Sequence, residues 1–262
     1  MQGDNTPPID LAKTIYAEGI VHDAEGNSYP LESEIPETSA KKIFKLVNGN
    51  QSIRKTLEVG CAYGLSTLHI CGGLYGRPDV HHTIIDPFQY LNWHGIGVEN
   101  VRRSGFTEFN LIENLSELAL PELLRHEKCY DMILVDGVHT FDHTLLDMFY
   151  ANRMLKLGGF LIVDDCDWRS ISRAISYFLN YPCYELYTPY RERGSSLMPE
   201  IMRGLARKFH ALSKMLRLDP FLKSTLHPAI YRKIFSIRFP RLVILQKIGK
   251  DERFFLWHNE FF

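Results

Sequence analysis

The sequence predicts an α/β fold in which helices cover both faces of a mostly parallel β-sheet. Short apolar segments alternate with helical patterns between residues 55 and 187, and this alternation is typical of strand–helix–strand units. Several of the apolar segments end at a glycine turn or a carboxylate, as expected where parallel strands meet a ligand-binding edge. The length of 262 residues suits one large domain of this class, with or without an insertion.

Residues 1–37 precede this alternation and are predicted to form an N-terminal arm. They are polar and contain four prolines, so we expect irregular structure with one short helix near residues 11–18. Residues 38–48 then carry apolar side chains at helical spacing behind a suitable cap at Thr38 or Ser39. This pattern predicts a helix at the start of the main domain, which we place at residues 38–262.

Six strands and the helices between them are predicted in order along the chain. The strands are Lys55–Val59, His82–Ile85, Phe109–Ile112, Met132–Val135, Phe160–Val163 and Tyr184–Tyr187. The helices are Ser66–Gly72, 94–105, Ser116–Arg125, Asp142–Leu155, which Gly158 and Gly159 close, and 169–180. Residues 190–238 interrupt this order with a basic, mostly helical pattern, and residues 241–247 predict a seventh strand. We therefore expect a Rossmann-like sheet of seven mostly parallel strands, the last antiparallel, with a helical insertion before it.

Charge is distributed unevenly along the chain, although the net charge is only -1. Residues 191–250 contain fourteen Lys or Arg and three acidic residues, a local charge of +11. Such a segment suits contact with the protein's own acidic body, an acidic partner, a membrane surface or an anionic substrate, and residues 200–240 are predicted to make that contact. Nucleic acid is not expected as a partner, because no nucleic-acid-binding motif occurs. The aromatic residues after Phe254 are suited to a subunit contact, which leaves a homo-oligomer open.

Three features bear on where the chain is expected to reside. Five cysteines occur without a Cys-x-x-Cys pair, which favours a reducing, cytoplasmic environment. The first residues show no basic run followed by an apolar run, so we expect no signal peptide. No stretch of about 18 apolar residues occurs, so we expect no membrane-spanning helix.

A glycine loop follows the first strand of the predicted sheet, within the sequence LEVGCAYGLST. Gly60 and Gly64 permit a tight turn and close approach of a ligand to the backbone. Their spacing differs from the Gly-x-Gly-x-x-Gly dinucleotide motif, and no Gly-Lys-Ser/Thr follows as in phosphate-binding loops. The loop therefore suits a cofactor without a pyrophosphate. Asp86 ends the second strand, where a carboxylate accepts ribose hydroxyls or, alternatively, caps the turn before Pro87.

With these features the sequence resembles the class I S-adenosylmethionine-dependent methyltransferases, over about residues 40–190 and the final strand. It is most similar to the small-molecule O-methyltransferases, including those that act on macrolide sugars and the catechol type. The resemblance is carried by LEVGCAYGLST, TIIDPFQ and ILVDGVHTFDHTLLDMFYANRMLKLGGFLIVDDCDW. It implies cofactor contacts from six residues: Glu58, Gly60, Tyr63 and Gly64 around the methionine part, Asp86 at the ribose and Ser116 near the adenine.

Three carboxylates are predicted to converge at the ends of two neighbouring strands. Asp136 follows one strand, and Asp164 and Asp165 follow the next. Adjacent strands lie about 4.8 Å apart, so these side chains would repel one another unless a cation neutralised them. Oxygen ligands suit Mg²⁺ or Ca²⁺, whereas the alternative is that these residues cap helices and bind loop amides. The resemblance implies a metal site here, although the catechol-type enzymes carry Asn where this chain has Asp165.

His139 lies three residues after Asp136, on the loop that follows the same strand. A neutral imidazole there is placed to remove a proton from a hydroxyl group as the methyl group arrives. The resemblance to sugar O-methyltransferases, which use the histidine of an Asp-x-x-His motif as a base, implies the same role. Our hypothesis is that a cation held by Asp136 polarises the acceptor hydroxyl and that His139 takes its proton.

The function predicted from these residues is S-adenosylmethionine-dependent O-methylation of a small hydroxylated molecule, such as a sugar or a secondary metabolite, with Mg²⁺ assistance. Two alternatives remain at this stage. In the first, the enzyme is a metal-independent N-methyltransferase whose acidic cluster binds an amine. In the second, the chain has lost catalysis and serves as a cofactor-binding or scaffold protein through its basic segment. A nicotinamide dehydrogenase is disfavoured, because its glycine motif is absent.

Overall fold

The computed structural model describes residues 6–32, 34–187 and 239–254. Within these ranges the helices are α1 (Pro8–Glu18), α2 (Glu37–Gly49), α3 (Leu65–Leu74), α4 (Ile96–Arg103), α5 (Ser116–Arg125), α6 (Phe141–Met154) and α7 (Arg169–Phe178). The strands are β1 (Ile20–His22), β2 (Ser28–Pro30), β3 (Lys55–Val59), β4 (His81–Ile85), β5 (Phe109–Ile112), β6 (Tyr130–Val135), β7 (Leu155–Val163), β8 (Tyr184–Leu186) and β9 (Val243–Lys247). The predicted insertion at about residues 190–238, and the predicted contacts of residues 200–240, lie outside the described residues.

A seven-stranded mixed sheet forms the centre of the described fold, in the order β5-β4-β3-β6-β7-β9-β8. Strands β5, β4, β3, β6 and β7 pair in parallel, and β9 pairs antiparallel with both β7 and β8. The prediction of a Rossmann-like, mostly parallel sheet with an antiparallel last strand is therefore confirmed. Helices α3, α4, α5 and α6 connect the successive parallel strands and cover the sheet, because the connection between two parallel strands has to cross from one end of the sheet back to the other.

Strand β7 is longer than the sequence indicates. The helix predicted to extend to Leu155 ends at Met154, and β7 then runs from Leu155 through both glycines to Val163. Its register against β6 shifts, since Tyr130 pairs with Leu155 whereas Met132 pairs with Phe160. Glycine tolerates such a bulge, so Gly158 and Gly159, which the sequence suggests as the end of a helix, lie within a strand.

Helix α3 lies close to two neighbouring helices because it contains Gly72 and Gly73. A Cβ atom on Gly72 would lie 2.6 Å from the side chain of Ile9, and one on Gly73 would lie 2.6 Å from that of Val47. Glycine in a helix usually lowers stability relative to alanine. Here it permits the close approach of α1 and α2 to α3, the helix that follows the glycine loop.

The N-terminal arm contains more regular structure than predicted. Strands β1 and β2 form a hairpin, in which Asp23 accepts hydrogen bonds from the backbone and side-chain amides of Asn27, both at 2.8 Å. Arg103 of α4 donates to the carbonyls of His22 and Asp23. Strands of three residues are too short to show an alternating pattern, so the sequence did not reveal them. The arm also supplies four side chains to the main hydrophobic core: Ala12, Ile15, Val21 and Ile35.

Two further observations concern the cysteines and the helices. All five cysteines are free thiols, and four of them are buried. In the described ranges, every helix is either too short or too polar to cross a membrane.

Candidate functional site

The predicted site residues gather at the carboxyl ends of four neighbouring strands. Strands β4, β3, β6 and β7 are adjacent in the sheet, and each is followed directly by a predicted site residue. These residues are, in the same order, Asp86, Gly60, Asp136 and the pair Asp164 and Asp165. Because parallel strands all end at one edge of the sheet, the topology brings together residues that are far apart in the sequence.

The glycine loop packs directly against the backbone of the loop that follows β6. Gly60 has a φ of +88°, and a Cβ atom there would lie 2.0 Å from the carbonyl oxygen of Asp136. Gly64 has a φ of +82°, and a Cβ atom there would lie 2.8 Å from the carbonyl oxygen of Gly97 in α4. Both positions therefore require glycine for two reasons, the left-handed conformation and the close approach of another backbone. The contact at Gly60 joins the predicted cofactor loop to the predicted catalytic residues.

Asp86 holds the glycine loop in place. One carboxylate oxygen accepts hydrogen bonds from the backbone amides of Cys61 and Ala62, both at 3.0 Å. The other accepts from the backbone amide of Phe88 at 2.9 Å. Ala62 has a φ of +48°, a conformation that is costly for a residue other than glycine and that these hydrogen bonds help to fix. The ribose contact of Asp86 stays a prediction, to which the structure adds a role in shaping the loop.

Glu58 lies fully buried beneath the same loop. Its Oε2 atom accepts hydrogen bonds from the hydroxyl of Thr67 at 2.6 Å and from Nε2 of His82 at 3.1 Å. Its Oε1 atom has no hydrogen-bond partner in the described ranges, although it is buried. Tyr63 is also buried, and its ring packs edge-on against Trp93 with the ring centroids 5.1 Å apart. These contacts stiffen the loop, and the predicted contacts of Glu58 and Tyr63 with a cofactor remain predictions.

Ser116 is the first residue of α5 and lies against a buried carboxyl group, that of Asp147 in α6. The side chain of Asp147 is only 1% exposed. Burial raises the pKa of Asp147 to about 6, while the hydrogen bond from Ser116 and the charge of His143 act in the opposite direction. Sequence reasoning did not identify Asp147, because an acidic residue within an amphipathic helix usually faces solvent.

Replacing Asp147 with asparagine is expected to stabilise the protein at neutral pH. A folded-state pKa of about 6, against 3.8 for the unfolded chain, penalises the ionised carboxyl in the folded protein. That penalty is absent below pH 3.8, grows as the pH rises to 6 and is constant above pH 6. The gain in the free energy of unfolding for Asp147→Asn therefore reaches at most about 3 kcal/mol at pH 7.5. Urea unfolding at pH 4 and pH 7.5 measures it.

The control for this change is Asp142→Asn on the same helix. Asp142 is exposed in the first turn of α6, where a negative charge is favourable. Its loss is expected to lower stability slightly at pH 7.5. A gain of stability for Asp147→Asn that is equal at both pH values would contradict the assignment of a buried, ionised carboxylate.

His139 and two carboxylates form a compact cluster at this edge of the sheet. The Nε2 atom of His139 lies 3.0 Å from Oδ2 of Asp165 and 3.5 Å from Oδ1 of Asp136. The imidazole ring packs against Trp168 with the ring centroids 5.0 Å apart, and Ser170 donates a hydrogen bond to the His139 carbonyl at 2.8 Å. The Nδ1 atom of His139 makes no hydrogen bond to any described residue, and the side chain is 35% exposed. One ring nitrogen is thus held by carboxylates, and the other is available to a ligand.

The cluster strongly favours the protonated imidazole. Hydrogen bonds to Asp136 and Asp165 raise the pKa of His139 to about 10. Burial raises the pKa of Asp136, while His139 moderates that shift. Burial also acts to raise the pKa of Asp165, but the hydrogen bond from His139 and the charge of Arg241 outweigh it, so the net shift is downward. At neutral pH the imidazolium of His139 is therefore paired with the carboxylate of Asp165, while burial raises the pKa of Asp136.

Asp164 takes a different place from the one predicted for it. Its Oδ2 atom lies 3.3 Å from Nε of Arg241, and the same nitrogen lies 3.1 Å from Oδ1 of Asp165. Burial, followed by the charge of Asp136, raises the pKa of Asp164 to about 7. The sequence did not point to Arg241, because it lies 77 positions after Asp164 and begins a segment that resembles an ordinary strand.

The structure therefore assembles a candidate metal-binding set that differs from Asp136, Asp164 and Asp165. One ligand atom each from Asp136, His139 and Asp165 lies within 4.8 Å of the others. This set contains an imidazole nitrogen, which suits Zn²⁺, Cu²⁺, Fe²⁺ or Ni²⁺ better than Mg²⁺. Whether the chain binds a metal ion at all stays a prediction.

Apolar side chains are exposed around the same edge of the sheet. They follow the strand ends and include Phe88 after β4, Leu115 after β5, Val138 after β6 and Trp168 after β7. Trp168 is 53% exposed although it contacts His139. Exposed apolar groups beside convergent polar groups are typical of binding sites for small molecules with flat rings.

A protein-family model and several solved structures are similar to this chain. A protein-family model described as a methyltransferase domain matches residues 57–166, which run from β3 to the residue after Asp165. A 6-hydroxymellein synthase of Talaromyces verruculosus is 28% identical over 128 residues, which are 46% of this chain but only 5% of that relative. The chain thus spans a small fraction of the length of this relative.

Solved structures share the fold at low sequence identity. The O-methyltransferase TomG from Streptomyces achromogenes, solved with S-adenosylmethionine, has a TM-score of 0.54 and 15% identity, over 71% of this chain and 82% of that one. An O-methyltransferase from Bacillus cereus, solved with S-adenosylhomocysteine, has a TM-score of 0.54 and 15% identity, over 69% and 81% of the two chains. The S-adenosylhomocysteine-bound methyltransferase PaMTH1 of Podospora anserina has a TM-score of 0.54 and 14% identity, over 72% and 85%.

Proposed function

We propose that the chain transfers a methyl group from S-adenosylmethionine to a hydroxyl group of a small molecule, on the premise that residues 57–166 match the family model of a methyltransferase domain. The family match supports the resemblance to methyltransferases expected from the glycine loop and the acidic strand ends. The proposed reaction rests on one observation above all. His139, Asp136 and Asp165 converge next to the glycine loop, which contacts the backbone of Asp136 at Gly60. Bound S-adenosylmethionine would supply an electrophilic methyl group on a sulfonium ion.

The residues around the glycine loop fit such a cofactor. Two glycines with positive φ and the buried carboxylate of Asp86 shape the loop, and the buried Oε1 atom of Glu58 lacks a partner in the described ranges. Ser116 and the exposed side chain of Leu115 follow β5, where the adenine would bind. The cofactor carries no pyrophosphate, and this loop carries no phosphate-binding lysine.

His139 is the group best placed to accept a proton from the hydroxyl of the acceptor. When the imidazole is neutral, its remaining proton stays on Nε2, because the carboxylates of Asp165 and Asp136 accept it there. The Nδ1 atom then carries the free electron pair and is the basic nitrogen. Trp168 covers one side of the ring and provides an apolar surface for the acceptor. The arrangement matches a base held by a second group.

A metal-assisted reaction is the second candidate, supported by the three convergent ligand atoms. A metal ion on Nε2 of His139 would leave the proton on Nδ1, so His139 would serve as a ligand and not as the base. A single histidine cannot fill both roles at once. The combined mechanism expected from the sequence would need the metal ion on Asp164 instead, whose Oδ2 atom is paired with Arg241.

The acceptor class that we propose is a hydroxylated aromatic or sugar-containing secondary metabolite. Trp168 and Val138 offer flat or apolar surfaces next to His139, and both kinds of ring pack on such surfaces. The relative from Talaromyces is named for a hydroxylated product, and TomG is named for tomaymycin synthesis. N-methylation of an amine is the alternative that the acceptor screen tests, because the carboxylates of Asp136 and Asp165 beside His139 also suit an amine.

The test is a calorimetric titration of the full chain with S-adenosylhomocysteine, followed by a screen with S-(methyl-d3)-adenosylmethionine. The screen offers phenols, sugars and amines, and mass spectrometry detects transfer of the labelled methyl group. We expect a micromolar dissociation constant and labelled phenols or sugars. Failure to bind the cofactor product would contradict the proposed function, and labelled amines alone would replace O-methylation with N-methylation.

A further inference from the structure

We propose that Arg241 takes the place of a metal ion beside the carboxylates that follow β7. Its guanidinium neutralises Asp164 and Asp165 and holds Asp165 against His139. It thereby excludes a divalent metal ion from these carboxylates. The positioning of His139 rests on the proposed function. The exclusion of a metal ion does not, since it depends only on the charges and contacts of the cluster.

The sheet fixes the backbone of Arg241 beside the two carboxylates. Strand β9 runs antiparallel to β7, and Val163 at the end of β7 pairs with Val243 at the start of β9. In an antiparallel pair, the residue two positions after Val163 lies opposite the residue two positions before Val243, which places Arg241 beside Asp165. The backbone amide of Cys166 donates to the carbonyl of Arg241 at 2.8 Å and extends this pairing past the strand ends. The position of Arg241 is thus a consequence of the strand register.

The guanidinium of Arg241 contacts three acceptors. Its Nε atom lies 3.3 Å from Oδ2 of Asp164 and 3.1 Å from Oδ1 of Asp165. Its Nη2 atom donates to the backbone carbonyl of Glu34 in the N-terminal arm at 3.5 Å. A planar group with several donors is suited to bridging acceptors in this way, whereas a lysine ammonium is a point charge.

Asp165 connects Arg241 to His139. One carboxylate oxygen of Asp165 faces Nε of Arg241, and the other lies 3.0 Å from Nε2 of His139. Asp165 also has a φ of +51°, which is uncommon for a residue other than glycine and needs support from its surroundings. Contacts on both oxygens provide that support and fix the direction of the imidazole. Arg241 is therefore a positioning residue that acts on His139 through Asp165.

The same contacts leave little place for a second cation. Asp164 is buried, and its Oδ2 atom is already paired with Arg241. A divalent ion bound by Asp136, His139 and Asp165 would share the carboxylate of Asp165 with the guanidinium. Two cations on one carboxylate repel each other strongly where water is scarce. The cluster is therefore expected to bind metal ions weakly while Arg241 is present.

The experiment measures Mn²⁺ binding to the full chain at pH 7.5, from the electron paramagnetic resonance signal of free Mn²⁺. Four proteins are compared: the wild type, Arg241→Gln, Arg241→Lys and the control Lys156→Gln. Lys156 pairs with Asp131 at 2.7 Å, away from the glycine loop and the His139 cluster, so its loss also removes one positive charge from an ion pair. We expect Arg241→Gln to bind Mn²⁺ about tenfold or more tightly than the wild type, because a competing charge is removed and Asp164 is freed. Arg241→Lys should lie between them, and Lys156→Gln should equal the wild type.

Equal Mn²⁺ affinity in the wild type and both Arg241 variants would overturn the proposal, as would tight binding by the wild type. If Arg241→Gln does not fold, as judged by thermal unfolding, the Mn²⁺ affinity of Arg241→Lys against that of the wild type still decides whether Arg241 excludes the metal ion.

The positioning role is tested with an acceptor from the screen. The value of kcat should fall at least tenfold in Arg241→Gln and partly recover in Arg241→Lys, while KM for the cofactor stays constant. A loss confined to KM would refute that role. Failure of the wild type to bind S-adenosylhomocysteine would refute the proposed function and leave the Mn²⁺ result intact.

Discussion

Replacing His139 with glutamine is expected to lower methyl transfer by about 10²–10⁴-fold, the usual contribution of a positioned general base. Glutamine retains the size and hydrogen-bonding capacity of the side chain but cannot accept a proton at neutral pH. The affinity for S-adenosylhomocysteine should change by no more than about twofold, because the glycine loop is held by Asp86 and Glu58 and not by His139. Initial rates with an acceptor from the screen, and calorimetry with the cofactor product, measure the two quantities.

The pH dependence of the rate provides a second signature of His139. Its two carboxylate partners raise its pKa to about 10, so the neutral, basic form is scarce at pH 7. Because only that form accepts a proton, kcat/KM of the wild type should rise about tenfold per pH unit between pH 7 and pH 9. The rate of His139→Gln should lack this rise.

His143 provides the matched control for this experiment. It lies one helical turn after His139, at the start of α6, where its Nδ1 atom lies 2.8 Å from the hydroxyl of Thr140. His143→Gln removes a histidine from the same region without touching Asp136 or Asp165, so its rate and pH profile should match the wild type. Equal losses in His139→Gln and His143→Gln would show that the effect is structural, and the assignment of the base would then be wrong.

Replacing Gly60 with alanine is expected to abolish cofactor binding, with a loss of affinity of at least about 100-fold. The added Cβ atom would lie 2.0 Å from the carbonyl oxygen of Asp136, a distance that only movement of the backbone can relieve. The positive φ of Gly60 adds about 1–2 kcal/mol of conformational cost. Both the glycine loop and the loop of Asp136 must move, so cofactor binding and catalysis should fail together. Calorimetry with S-adenosylhomocysteine and thermal unfolding measure the effect.

Gly76→Ala separates the two causes of this loss. Gly76 also has a positive φ, +72°, but a Cβ atom there would meet nothing within 4 Å. Its substitution should therefore cost about 1–2 kcal/mol of stability and leave cofactor affinity unchanged. Should Gly60→Ala bind S-adenosylhomocysteine as well as Gly76→Ala does, the close contact between the two loops would not be required for the site.

Much of this site was predicted from the sequence because its residues occupy fixed positions relative to strands. Gly60 and Asp136 each come directly after a short apolar strand. The end of a parallel strand is defined locally, by an apolar run and the polar residue or glycine that follows it. The seven-stranded sheet follows from repetition of that local pattern. Sequence alone therefore determined the fold class and the edge at which these residues meet.

Tertiary structure decided which partner each charged group contacts. Asp164 and Asp165 are adjacent in sequence, yet Asp164 pairs with Arg241, whereas Asp165 bridges Arg241 and His139. Arg241 reaches them only because β9 lies antiparallel beside β7, in a register that involves two distant segments. Ion pairing depends on distances of a few ångströms, and such distances are set by packing across the sheet and not by spacing along the chain. The sequence therefore placed the acidic cluster at one edge of the sheet. Only the fold showed that the cation paired with two of its carboxylates is an arginine of the chain itself.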